Sequence, residues 1–212
     1  MSIVYCVLII EHSMNAIKKY LSLVKFAHTI FAMPFALIGF FLAAKETILI
    51  AMTNSYRDFV RVDNPRSLWL TLLLIILCMV FARSAAMAFN RWLDKNFDAK
   101  NPRTAIREIP AGIIRANSAL LFVIINCLLF IVCCYFINRI CFYLSPVALF
   151  VILFYSYTKR FTALCHLVLG VGLSLAPIGA YLAVTGEFAL LPVLFSFAVL
   201  FWVSGFDIIY AL

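Results

Sequence analysis

Long apolar runs separated by short polar stretches recur from residue 26 to the end of the chain, and six of them have the length that crosses a bilayer. A hydrocarbon core about 30 Å thick needs roughly 20 apolar residues in a helix that rises 1.5 Å per residue. The pattern predicts spans over Phe26–Ala44, Leu68–Phe89, Ser118–Ile137, Cys141–Tyr157, Leu167–Val184 and Phe188–Phe206. A polar loop, Lys45–Ser67, separates the first two. Turns at Asn138-Arg139 and Thr185-Gly186-Glu187 join later neighbours as antiparallel pairs. Pro34 and Gly39 are expected to bend the first span, which a bundle tolerates when neighbours satisfy the freed backbone groups. Gly170, Gly172 and Gly179 in the fifth suit close helix packing. Ahead of the first span lie an amphipathic segment, Ala16–Val24, and an apolar run, Ile3–Ile10. That run is too short to cross, and it lacks the basic leader and small-residue cleavage site of a signal peptide. Residues 1–13 therefore read as an extension upstream of Met14. Residues 14–212 read as one domain, since no polar linker or low-complexity tract divides them.

Composition agrees. The 212 residues are 66% hydrophobic and 12% charged, whereas a soluble domain is nearer half apolar and a quarter charged. The expected fold class is an all-α polytopic transmembrane bundle with the lipid bilayer as its partner. A net charge of +8 invites a nucleic-acid reading, but the basic residues sit in the short loops where the orientation rule for membrane proteins puts them. No nucleic-acid partner is expected. The seven cysteines form no Cys-x-x-Cys pair and lie mostly in apolar runs, so they read as small buried hydrophobes. The histidines, at 12, 28 and 166, have no ligand spacing.

The chemistry concentrates after the second span. Asn90, Asp94 and Asp98 are four residues apart, so on a helix they form one stripe that drifts about 40° per step. If helix continues from Leu68 to Asp98, it measures about 46 Å and carries the aspartates to or beyond one interface. Pro102 then ends it. Two carboxylates and an amide at the end of a membrane helix are costly unless something occupies them. A hard cation is the natural occupant, because Mg²⁺ takes oxygen ligands and is usually held by one or two carboxylates plus substrate phosphates. Solvated loop acids balancing Arg91 and Lys95 are the plain alternative; Asn90 on the same stripe and the basic tail disfavour it. Arg103, Arg107, Lys159 and Arg160 suit phosphate oxygens, or serve only as positive-inside loop residues. Arg83, seven residues before Asn90 and within about 20° of the same face, either contacts substrate inside the membrane or snorkels outward. His28 either touches an acceptor or packs.

Asn-x-x-x-Asp-x-x-x-Asp after a membrane helix resembles the first aspartate-rich motif of the UbiA superfamily of membrane prenyltransferases. The longer run from Asn90 to Gly112 is similar to 4-hydroxybenzoate polyprenyltransferases and their menaquinone-pathway relatives, many of which carry Asp where this chain has Arg91. Lys25-Phe26-Ala27-His28-Thr29 with Phe35, and Tyr157-Thr158-Lys159-Arg160, agree with it. The resemblance implies Mg²⁺-dependent transfer of a polyprenyl group from a polyprenyl diphosphate to an aromatic acceptor at a bacterial inner membrane. The acceptor would be 4-hydroxybenzoate or, in menaquinone biosynthesis, a naphthoate. It implies that Asn90, Asp94 and Asp98 act in catalysis and hold the metal. Asp207 would join them from Trp202–Leu212, which resembles the opening of the family's second aspartate-rich motif. Lys159 and Arg160 would contact diphosphate. Relatives typically have nine helices and this sequence carries about six, so a C-terminal part is expected to be missing and the 212 residues alone are expected not to catalyse transfer. A CDP-alcohol phosphatidyltransferase is disfavoured because no Asp-Gly-x-x-Ala-Arg run exists. A non-catalytic membrane fragment is the reading from another class, and Mg²⁺-dependent diphosphate binding separates it from the enzyme.

Orientation follows from Lys and Arg. Twelve fall on the side of the amino terminus, against five on the other side (Lys45, Arg57, Arg61, Arg66 and Arg139), which places the aspartates in the cytoplasm. A glycosylation or thiol-labelling tag beside Asn54 is expected to report the exterior and one beside Asn101 the cytoplasm; the reverse pattern refutes the orientation.

Overall fold

A computed structural model of the chain describes residues 19–24, 26–52, 67–162 and 164–211. The extension over 1–13, Met14, the first part of the amphipathic segment and the stretch 53–66 lie outside them. Residues 19–24 are helical. Six long helices follow: α1 (Phe26–Met52), α2 (Leu68–Asp98), α3 (Ala116–Ile137), α4 (Arg139–Thr158), α5 (Cys165–Thr185) and α6 (Leu190–Ala211). Each is long and apolar enough to cross a membrane.

The helix limits follow local chemistry. α1 does not stop at Ala44. It continues through Lys45 and Glu46 because Glu46 accepts a hydrogen bond from the Tyr181 hydroxyl of α5 and Thr47 bonds back to the Ala43 carbonyl, so the polar pair interrupts the apolar run without ending the helix. α2 runs unbroken for 31 residues to Asp98. α3 and α4 are joined through Asn138 alone. This residue is extended, its side-chain oxygen accepts from the Cys141 N–H at 2.7 Å, and its side-chain nitrogen donates to Leu182 O on α5 at 2.7 Å. α5 ends at Gly186, whose φ of 72° is the left-handed conformation that glycine adopts at low cost, with its N–H on Leu182 O at 2.9 Å. α6 runs on past Phe206, so Asp207 lies within a helix.

Helices α1 to α5 close into a ring in chain order, α5 returning to α1, with α6 packed outside on α5 and touching α1. α2 also reaches α4 and α5 across the ring. The surface is apolar, with Phe41, Leu121, Phe150 and Phe201 exposed, as expected where lipid is the solvent. Inside, small residues dominate: Ala36, Ala82, Ala180 and Ala183 with Cys78 and Cys134. They leave a cavity of about 330 Å³, walled by all five ring helices.

Gly39 is where α1 meets α5. A Cβ there would stand 2.1 Å from the Pro177 carbonyl oxygen. Among the fifth-span glycines only Gly170 has the packing role expected of it, against Leu200 O and Ser204 Oγ of α6. Gly172 and Gly179 line the cavity instead, and among the described residues nothing that a Cβ at Gly179 could meet lies within 4 Å of it. Gly39→Ala is expected to destabilise the bundle by about 1–3 kcal/mol through overpacking. Gly179→Ala is expected to be neutral or to stabilise by up to about 1 kcal/mol through helix propensity. Thermal unfolding in detergent reads both, and a Gly39→Ala protein as stable as the parent contradicts the contact.

Candidate functional site

The last turns of α2 carry the predicted stripe, and the end of α4 faces it. Asp94 and Asp98 are buried, and Asn90 lines the cavity. Lys159 follows the last residue of α4, where the negative end of the helix dipole favours a cation. Its Nζ lies 2.5 Å from Asp94 Oδ2 and 3.3 Å from Asn90 Oδ1. Arg160 Nη2 donates to Leu93 O at 2.6 Å and stands 3.7 Å from Asp94 Oδ1, with its guanidinium over the Phe97 ring. One turn further along α2, Arg107 Nη1 contacts both oxygens of Asp98 at 2.9 Å. Each buried carboxylate thus has a cation.

The segment that supplies Arg107 folds back over the end of α2. Thr104 Oγ1 donates to Asp98 O at 3.1 Å, and Gly112 turns the chain with φ 73°. Beneath it, buried Arg91 pairs with buried Glu108, which also accepts from Ser22 Oγ. Residues 19–24, the end of α2 and the start of α3 share a small core of Leu23, Ala85, Ala88, Ile114, Ala119 and Val123. The sequence sets Arg91 beside the acids of the stripe and does not single out Glu108, its partner in the structure. They lie on a helix and in a loop, so no periodicity relates them.

Two turns deeper than Asn90, Arg83 lines the cavity. Its Nε is buried with no hydrogen-bond partner among the described residues, and the Tyr155 phenol is within electrostatic reach. Arg103 is exposed, and among the described residues it joins the site only through its backbone N–H to Asn101 Oδ1. The His28 side chain lies outside the described residues. Asp207 on α6 pairs with His166 on α5, Nδ1 to Oδ2 at 2.6 Å; Tyr155 is within electrostatic reach of both Asp207 and Asp94. His166 had no ligand spacing in the sequence, and its partner is 41 residues away. Among the described residues, no group of three or more His, Cys, Asp or Glu side chains converges as metal ligands. The donors on the stripe nonetheless suit a hard cation. All are oxygens, and the Lys159 ammonium already holds the point where Asn90 Oδ1 and Asp94 Oδ2 converge.

Fold and site together define a membrane-spanning helical protein in which an apolar cavity opens onto a cluster of buried carboxylates and partly exposed cations. Residues 32–212 match the UbiA prenyltransferase family, and the chain belongs to that family. The 4-hydroxybenzoate octaprenyltransferase of Tolumonas auensis is 33% identical over 186 residues, 78% of this chain and 65% of that protein. A UbiA homolog from Aeropyrum pernix K1 superposes with a TM-score of 0.70 at 30% identity, covering 87% of this chain and 63% of its own. A UbiA homolog from Archaeoglobus fulgidus bound to GPP and Mg²⁺ has the same fold, with a TM-score of 0.63 at 21% identity over 91% of this chain and 62% of its own. The chain spans about half to two-thirds of the length of the curated relatives it matches.

Removing one partner of a buried ion pair strands the other charge and costs about 3–5 kcal/mol. Glu108→Gln is therefore expected to loosen the segment 99–115, raising trypsin cleavage after Arg103 and Arg107 at least tenfold while the spans stay protected. Unchanged cleavage refutes the anchoring role of the Arg91–Glu108 pair.

Proposed function

We propose that this chain grips a prenyl diphosphate through Mg²⁺ at the mouth of its apolar cavity, as the donor-binding part of a transferase acting on an aromatic acceptor of the 4-hydroxybenzoate kind. One observation carries the reading: Asn90 belongs both to the charged cluster and to the cavity wall. A ligand with an anionic head and a long apolar tail can satisfy both at once. The names of the relatives support the acceptor class, and the Archaeoglobus homolog, bound to GPP and Mg²⁺, supports the donor and metal.

Asn90, Asp94 and Asp98 would hold the metal, with Asp207 as a further carboxylate from α6. When bound, Mg²⁺ supplies Lewis-acid charge that offsets the charge developing on the departing diphosphate. Lys159, Arg160 and Arg107 donate to phosphate oxygens, and Arg103, more exposed, attracts the head group before it docks. The cavity takes the prenyl chain, and burial of its surface contributes about 25 cal/mol per Å². As the allylic C–O bond breaks, the apolar walls keep water from the cationic carbon, and the ring of Tyr155 offers it a polarisable face. Arg83 lines the apolar cavity with its Nε unpartnered among the described residues, so it suits the carboxylate of an aromatic acid and sets that ring below the reacting carbon. His28 is assigned to the same acceptor from the sequence alone. The setting is a bacterial inner membrane with the charged mouth in the cytoplasm.

Purified protein in lipid nanodiscs tests the reading through Mg²⁺-dependent binding of geranyl diphosphate. Asp94→Asn is expected to weaken that binding by roughly a hundredfold, about 2.7 kcal/mol, with the helical content unchanged. Binding that survives the substitution at saturating Mg²⁺ overturns the assignment. Product formed from added 4-hydroxybenzoate in the same preparation reads the transfer step separately.

A further inference from the structure

The cations and carboxylates of the cluster are held in different ways. Asp94 and Asp98 stand on the last turns of a continuous helix, with side chains 8% and 9% exposed. Their partners Lys159, Arg160 and Arg107 are 33–40% exposed and hang from a helix end and a loop. The carboxylates stand on a continuous helix, whereas the cations end long, rotatable side chains that are a third or more exposed, so they can turn to a new partner without leaving the site. Lys159 Nζ lies within hydrogen-bond distance of two of the oxygen donors assigned above to the metal, Asp94 Oδ2 and Asn90 Oδ1.

We infer that Lys159 is an internal counter-cation that competes with the metal for Asp94, so that metal and diphosphate bind cooperatively. This rests on the metal–diphosphate reading and adds to it a rule for how the site loads. Metal arriving alone must displace the ammonium from a buried carboxylate and leave it without a partner. Diphosphate arriving alone must draw Lys159 and Arg160 off Asp94 and leave that carboxylate uncompensated. The first change costs the ammonium its contact with Asp94, and the second strands a buried carboxylate, which is strongly unfavourable. When both arrive, the cations pass to phosphate oxygens as the metal takes the carboxylate, and every charge keeps a partner. Arg107 on Asp98 repeats the arrangement one turn along the helix. Linkage then requires that diphosphate raise metal affinity by the same factor that metal raises diphosphate affinity.

The test uses the full chain in detergent micelles with Mn²⁺ as the probe, free metal being read by electron paramagnetic resonance without any diphosphate. Lys159→Gln is expected to bind Mn²⁺ about tenfold more tightly than the parent, within the usual range of coupling between two sites. Adding Asp94→Asn is expected to erase the gain. Lys159→Arg keeps the cation and is expected to stay at the parental affinity. Lys95→Gln removes the same charge one residue from Asp94, but its ammonium lies over the Trp92 ring, so its effect is expected to stay within about twofold after screening. At saturating Mg²⁺, Lys159→Gln is expected to weaken geranyl diphosphate binding, so its two effects have opposite signs. Unchanged or weaker Mn²⁺ binding by Lys159→Gln, with Asp94-dependent binding intact, overturns the counter-cation role and leaves the metal–diphosphate reading standing. An equal gain from Lys95→Gln also overturns it, reducing the effect to charge at a distance. If no variant shows Asp94-dependent Mn²⁺ binding, both readings fall together.

Discussion

Two buried carboxylates at the end of an apolar helix, Asp94 and Asp98, set the terms for this end of the bundle. At an effective dielectric near 20, a unit charge 4 Å away contributes about 4 kcal/mol, whereas an exposed pair contributes about 0–1 kcal/mol. Cations must therefore be delivered to fixed points. Ending α4 opposite Asp94 delivers Lys159 and Arg160; folding the segment 99–115 back over α2 delivers Arg107. That fold-back needs an anchor of its own, which Arg91, Glu108 and Ser22 provide. What looks like a loop is a layer of ion pairs built outward from two side chains.

The interior answers a different constraint. With lipid outside, apolar burial gives the helices little reason to close on one another, and packing must come from close backbone approach. Gly39 against Pro177 and Gly170 against Leu200 are such approaches. Elsewhere in the ring the same small residues do the opposite and hold space open: Ala82, Ala180, Gly172 and Gly179 face the cavity. Residue size thus decides both where helices touch and where a tail can lie.

The spans and the shared face of Asn90, Asp94 and Asp98 were legible in the sequence because both are periodicities: hydrophobic length gave the first, and a spacing of four gave the second. α2 reaching Asp98 without a break is the case where the two coincide. Periodicity reports a face and is silent on what meets it. It could not relate Arg91 to Glu108, nor His166 to Asp207, because those partners lie on other elements. It also misjudged Lys45 and Glu46 as the start of a loop, since the hydroxyl that satisfies Glu46 belongs to Tyr181 on α5. Gly172 and Gly179 were read as packing residues for the same reason: composition marks where a helix can be approached closely, and tertiary structure decides whether it is.

One small feature governs the angular setting of the site. Asn138 alone separates α3 from α4, and its amide is clamped to α5 through Leu182 O. It therefore fixes the rotational phase of α4 as well as its height. A residue added to this junction would turn the whole helix by about 100°, and Lys159, at its far end, would swing away from Asp94. Most membrane hairpins tolerate insertions at their tips because nothing downstream is indexed to them. Here the tip is the zero mark of a dial read on the opposite face of the membrane, so the shortest connection between the six long helices should be the one least able to change its length.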